Sequence, residues 1–139
     1  MPKRIMAIDY GDARTGIAVS DESATITGDA WVVNSRKADE VAQIAADEAI
    51  NRDVLRIVIG YPKNMDGSIG GRAEKCENFA DLLRSKCDIE VILWDERLTT
   101  ISANRLLTEA GKFGKKRKKT IDAVAASLLL ESYLGTQPQ

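Results

Sequence analysis

The sequence predicts an α/β protein built on a single mixed five-stranded sheet flanked by helices on both faces. Five short apolar runs rich in β-branched residues indicate strands, and the segments between the later runs carry apolar residues at helical spacing. The first three strands follow one another directly, whereas helices separate the rest. A meander followed by alternating strands and helices is typical of a mixed sheet covered on both sides.

The predicted strands are 4–9, 16–21, 29–34, 54–60 and 89–96. A turn joins the first two, so we expect them to be antiparallel neighbours. Four helices are predicted: one capped by Ser35 and ending near Asn51, one over 72–86, one capped by Thr99 or Thr100 and ending at Gly111, and one capped by Thr120. The stretch 61–71 is dense in glycine and other turn formers and reads as a loop.

Size and composition describe one soluble domain. The chain has 139 residues, of which 44% are hydrophobic and 29% charged, and we expect one domain over 1–139 with a frayed tail at 135–139. No secretory signal or membrane span is recognisable, which favours a cytoplasmic protein with no membrane partner. Cys76 and Cys87 would lie roughly 16 Å apart along a helix, too far for a disulfide, and are expected to be reduced.

The sequence contains no histidine. Ser-His-Asp and Cys-His catalysis and histidine-bearing zinc sites are therefore excluded. A segment GxxxxGK[ST] is also absent, which excludes a P-loop. An enzyme with this composition would depend on carboxylates, lysines or bound metal ions.

Charge is concentrated in one segment. The net charge is −1, yet six of the eight residues in "KFGKKRKK" (112–119) are basic. Such a patch is typical of a surface that contacts a polyanion.

Acidic residues follow two predicted strands. Asp9 ends the first strand, Asp95 and Glu96 end the fifth, and Asp122 lies just after the basic segment. In open α/β sheets, ligands collect at the carboxyl ends of strands. Converging carboxylates suit Mg²⁺, and a pair of such ions can promote phosphodiester hydrolysis without histidine. Side chains alternate along a strand, so only one of Asp95 and Glu96 can share a face with Asp9; spacing alone does not say which.

Four ordered segments resemble the YqgF family of Holliday-junction-resolvase-like proteins, also named for pre-16S rRNA nuclease activity. They are "AIDYGDARTGIAVSD", "GYPKNMDGS", "WDERLTT" and "KKTIDAVAASLLLESYL". The resemblance runs from about residue 4 to 134. It implies a ribonuclease H-like fold and a nuclease dependent on Mg²⁺ or Mn²⁺.

The resemblance also implies residue roles. Asp9, Glu96 and Asp122 would be the catalytic carboxylates and metal ligands, which decides between Asp95 and Glu96. Arg97 and Thr99, in the "WDERLTT" segment, are implied to support the site or contact nucleic acid. Independently of the resemblance, we expect nucleic-acid contacts at Arg14, at Lys63 and Arg72 beside the glycine-rich loop, and in the basic segment at Lys115, Lys116, Arg117, Lys118 and Lys119. The implied substrate is structured or precursor RNA, with the small ribosomal subunit as a partner. We expect the protein to be a monomer or a weak homodimer.

Three other functions are compatible with the sequence. The first is resolution of branched DNA. The second is a nucleotide-binding module, because "DYGDARTG" also resembles the phosphate hairpin of the actin and sugar-kinase superfamily. The third is a non-catalytic ribosome assembly factor that binds RNA through residues 112–119.

Overall fold

The computed structural model describes residues 4–24, 26–62, 70–95 and 116–136, and in the last segment it describes side chains from residue 123 onward. The elements in chain order are β1 (Arg4–Asp9), β2 (Arg14–Ser20), β3 (Thr27–Asn34), α1 (Ala38–Asn51), β4 (Val54–Tyr61), α2 (Gly71–Arg84), β5 (Glu90–Asp95) and α3 (Lys116–Thr136). Each of the five predicted strands is present. The predicted helix that ends at Gly111 lies outside the described residues.

The sheet is mixed, as the sequence predicts. Its strand order is β3-β2-β1-β4-β5. The three strands β1, β4 and β5 are parallel to one another, and β2 pairs antiparallel with both β1 and β3. The carboxyl ends of β1, β4 and β5 therefore meet at one edge, which we call the carboxyl edge.

Each face of the sheet packs against helices. Alternate residues of β1 such as Met6 and Ile8 join a buried cluster with α1 and α2. The intervening residues Ile5 and Ala7 join a second cluster with α3. We call these two sides the α1–α2 face and the α3 face. Because the period of a strand is two residues, every β1 side chain can be assigned to one face or the other.

Several helix boundaries differ from the sequence-based predictions. α1 begins at Ala38 rather than directly after Ser35, whose hydroxyl instead accepts a hydrogen bond from the backbone N–H of Lys37. Thr120 lies within α3, not at its cap, because the basic residues before it are already helical, as the good helix propensity of Lys and Arg allows. α3 also continues to Thr136, into the segment expected to be a frayed tail.

The two cysteines do not share a helix. α2 ends at Arg84, so Cys87 lies beyond it, while Cys76 is buried within it. Both are free thiols, as predicted. Among the described residues, no helix is both long enough and apolar enough to span a membrane.

Candidate active site at the carboxyl edge

Asp9 is the last residue of β1 and lies on the α3 face. It follows Ile5 and Ala7 at a spacing of two, and both of these pack against α3. Its side chain is half-buried. A buried strand thus ends on a carboxylate at the edge where the parallel strands terminate, which is the position predicted from the sequence.

Glycines flank Asp9 on both neighbouring strands. Gly16 of β2 is its direct partner across the antiparallel pair. On the other side, Ile8 pairs with Ile59, and the next step of this parallel register places Gly60 beside Asp9. Neither neighbour has a side chain, so within the described part of the chain no side chain of β2 or β4 lies directly beside the carboxylate on the α3 face.

Asp95 lies on the opposite face from Asp9. It follows Val91 and Leu93 at a spacing of two, and these residues belong to or pack against the α1–α2 cluster. Strand alternation therefore separates Asp95 from the Asp9 side of the sheet. Glu96, the residue that the resemblance selects, lies outside the described residues.

Trp94 occupies the same face as Asp9, with only Gly60 between them. Gly60 pairs with Trp94 in the β4–β5 register, and Trp94 packs with the α3 cluster. Its ring meets Tyr133 of α3 edge-on at 5.2 Å between centroids. Its indole N–H is buried and has no hydrogen-bond partner within the described parts of the chain. Spacing within the sequence could not reveal this placement, because the register of two distant strands creates it.

The turn after Asp9 is tightly built. A Cβ atom on Gly11 would lie 2.2 Å from the carbonyl oxygen of Arg14, so only glycine fits there. The N–H of Gly11 also donates a hydrogen bond to the buried hydroxyl of Thr15, at 3.4 Å. These contacts hold the β1–β2 turn close to the carboxylate.

Two predicted nucleic-acid contacts lie at this edge. Arg14 begins β2 and is exposed. Arg72, in the first turn of α2, is exposed and donates a hydrogen bond to the carbonyl oxygen of Tyr10 at 3.0 Å. Four of the remaining predicted contacts belong to α3, namely Lys116, Arg117, Lys118 and Lys119. The other four lie outside the described residues, namely Lys63, Arg97, Thr99 and Lys115.

The third predicted carboxylate is carried by α3. Asp122 lies one helical turn before Ala126, a residue that is buried against the sheet on the face of Asp9. Within the described ranges, no group of three acidic or cysteine side chains is close enough to hold a metal ion. Of the three predicted carboxylates, Asp9 is the one whose side chain the structure describes. Its carboxylate oxygens are ligands that suit Mg²⁺ or Mn²⁺.

Comparison with known proteins identifies the same family that the sequence motifs resemble. A family model described as "RuvX: Holliday junction resolvase" matches residues 3–136. A protein of Halothermothrix orenii named "Putative pre-16S rRNA nuclease" is 44% identical over 134 residues, which cover 96% of both chains. A protein of Acetivibrio thermocellus with the same name is 42% identical over 136 residues, again covering 96% of both.

Solved structures agree on the fold. The chain superimposes on Thermus thermophilus RuvC in complex with a Holliday junction substrate with a TM-score of 0.62 and 12% identity, covering 96% of this chain and 97% of the other. The fowlpox virus Holliday junction resolvase gives a TM-score of 0.59 with 13% identity over 96% and 99% of the two chains. At such low identity the likeness concerns the fold alone, which is the ribonuclease H-like fold that the resemblance implies.

Proposed function

This chain belongs to the RuvX family, and from that premise we propose that it is a divalent-metal-dependent endonuclease that processes the 5′ end of precursor 16S rRNA. The names of its relatives, at 42–44% identity over nearly the full chain, support this substrate. The observation that carries the chemistry is Asp9, placed between Gly16 and Gly60 at the carboxyl edge. We place the enzyme in the cytoplasm, bound to precursor RNA on the small ribosomal subunit.

Asp9, Glu96 and Asp122 are the proposed metal ligands. Asp9 contributes a carboxylate from β1. Glu96 is proposed on the family resemblance, because Asp95, the other acid at this end of β5, lies on the opposite face from Asp9. Helical periodicity puts position 122 on the same stripe of α3 as Ala126 and Tyr133, which pack against that face. The three proposed ligands thus come from three separate parts of the chain.

The protein's own contribution to hydrolysis is to position the metal ions and the phosphates of the substrate. When bound, divalent ions supply Lewis acidity that favours water attack and leaving-group departure at a phosphodiester. Asp9 fixes their position from a rigid strand end, and the bare backbone of its two glycine neighbours lets a phosphate come close. Arg14 and Arg72, exposed at the same edge, hold the flanking phosphates by charge-assisted hydrogen bonds.

Resolution of branched DNA is the second candidate function. The description of the matching family model favours it. The two substrates differ in their nucleic acid but require the same metal chemistry. A cleavage assay on precursor small-subunit RNA and on a four-way DNA junction, run side by side, distinguishes them.

The decisive variant is Asp9→Asn, compared with Asp95→Asn. Asp9→Asn keeps the side-chain shape but removes a charged ligand, so metal-dependent cleavage should fall by several orders of magnitude while circular dichroism stays native. Asp95→Asn removes an equal charge from the opposite face and should retain cleavage. Undiminished cleavage by Asp9→Asn would refute the proposed metal site. Loss of activity in both variants would refute the assignment of faces.

A further inference from the structure

A groove opens at the carboxyl edge on the side of the sheet opposite Asp9. It has a volume of about 530 Å³, and its polar and aromatic lining comes from Tyr10, Asp12, Arg36, Lys75, Asn78 and Phe79. Tyr10 directly follows Asp9 in the chain, so the two residues project to opposite faces at one point of the edge. We call this cavity the Tyr10 groove.

An aromatic pair forms one wall of the groove. The rings of Tyr10 and Phe79 are stacked, with 4.3 Å between centroids and 17° between planes. Both residues line the groove, and Phe79 is buried whereas Tyr10 is half-buried. A fixed aromatic face is a surface on which a base can stack.

Cations surround the aromatic pair. Arg36 is exposed and forms no ion pair with any residue in the described segments. Lys75 is paired with Asp12 at 3.1 Å, but both side chains are about 60% exposed, so this pair is weak and easily exchanged for a phosphate. Arg72 is anchored to the carbonyl oxygen of Tyr10 and extends the positive charge to the edge itself.

We propose that the Tyr10 groove binds an unpaired stretch of the nucleic acid that flanks the scissile phosphate. A base stacks on Tyr10, and Arg36 and Lys75 bind the adjoining phosphates. The position of the scissile phosphate at Asp9 rests on the proposed function, whereas the binding of an unpaired strand follows from the groove itself. Stacking on an aromatic ring beside a row of cations is how proteins hold single strands with little sequence preference.

The groove favours a single strand over a duplex. Its lining comes from the β1–β2 turn, the start of α1 and one side of α2. A base within a duplex is stacked and paired, so its face is not free to stack on Tyr10. An unpaired base can turn its face to Tyr10 while its backbone stays at the rim. The enzyme would therefore prefer a substrate with a single-stranded segment next to the cleavage point.

Binding without metal tests the groove separately from cleavage. Anisotropy of a fluorescein-labelled oligouridylate is measured in EDTA at several salt concentrations, for the wild type and for the double variant Arg36→Ala/Lys75→Ala. The double variant should bind about tenfold more weakly, and its salt slope should fall by about 0.7 for each phosphate that the protein no longer neutralises. Lys86→Ala is the matched control, because Lys86 pairs with Asp39 at 3.0 Å and follows the far end of α2; it should bind like the wild type.

Tyr10→Leu tests the stacking. It should weaken binding of the oligouridylate roughly tenfold and leave binding of a blunt RNA duplex unchanged. If Tyr10→Leu weakens both probes equally, or if the double variant matches the wild type in affinity and salt slope, the proposal is overturned. The proposed nuclease has its own readout, because cleavage of precursor RNA in Mg²⁺ is scored with Asp9→Asn and involves no groove variant.

Discussion

At the scale of single residues, the candidate site depends as much on missing side chains as on the carboxylate. Gly16 and Gly60 flank Asp9, and Gly11 lets the next turn fold back beside it. A larger residue at Gly16 or Gly60 would place a side chain directly beside the carboxylate, and a larger residue at Gly11 would overlap the carbonyl oxygen of Arg14. Glycine at other positions inside a strand would only weaken the sheet.

Gly11→Ala tests how tightly the turn is packed. The added methyl group would overlap the carbonyl oxygen of Arg14, and we expect a loss of about 1–3 kcal/mol in the free energy of unfolding. Urea denaturation measures the change. Gly71→Ala is the control, because a Cβ at Gly71 meets no atom within 4 Å; at the start of a helix it should be neutral or slightly stabilising. Equal stability of Gly11→Ala and the wild type would show that the turn can relax.

Tyr61 makes stability depend on pH in the alkaline range. Its hydroxyl donates a hydrogen bond to Glu77 at 2.5 Å, and this bond raises the pKa of Tyr61 to about 12 from its ordinary value of 10.0. Because the folded pKa is the higher one, the stabilisation is complete below pH 10 and is lost as the pH rises towards 12. Tyr61→Phe should therefore remove part of the decline in unfolding free energy across this window, as measured by urea denaturation. An unchanged pH profile would contradict the hydrogen bond.

At the scale of elements, α3 matters because it carries Asp122. The helix packs on the face of Asp9 through a stripe of four buried residues, namely Ala126, Leu129, Leu130 and Tyr133. Arg56 of β4 donates a hydrogen bond to the hydroxyl of Tyr133 at 2.5 Å and also pairs with Glu90 of β5. One guanidinium group thus links the helix to two parallel strands.

Tyr133→Phe tests this link. Loss of the hydrogen bond should lower the free energy of unfolding by about 1 kcal/mol, since Arg56 keeps its pairing with Glu90. Chemical denaturation measures the loss. Glu131→Gln, on the exposed side of the same helix, should have little effect. A Tyr133→Phe protein as stable as the wild type would show that apolar packing alone holds α3.

The amino end of α3 carries an unusual concentration of positive charge. Lys116, Arg117, Lys118 and Lys119 are helical, although the dipole of a helix favours negative charge at its amino end. The sequence analysis placed these residues between two predicted helices, and in the structure they form the first residues of α3. Binding of a polyanion at this end would offset the mutual repulsion of the cations, which agrees with the proposed contact with nucleic acid.

At the scale of the whole molecule, metal binding should stabilise the fold. The three proposed ligands are far apart in sequence and can meet only in the native chain, so Mg²⁺ would bind the folded state alone. At a concentration about 100 times its dissociation constant, such a ligand adds about 2.7 kcal/mol. The melting temperature of the wild type and of Asp95→Asn should therefore rise with Mg²⁺, and that of Asp9→Asn should not. An equal rise in all three would place the ion elsewhere.

Much of the fold could be predicted from local pattern. Apolar, β-branched runs located all five strands, and the turn after Asp9 correctly indicated an antiparallel first pair. Helix starts were less predictable, as Ser35 and Thr120 show, because a cap is used only where the chain enters the helix in the right direction. Asp9 was predicted at the edge of the sheet, and the structure confirms its position there.

The sequence by itself determined the order of the elements that the structure describes, the absence of histidine chemistry and the carboxylate at the end of β1. These follow from composition and from patterns a few residues long. The tertiary structure decided which residues surround that carboxylate. Pairing register brought Gly16 and Gly60 to its two sides, and packing of α2 on the sheet brought Phe79 to Tyr10. Such contacts join residues far apart in the chain, and only the folded sheet brings them together.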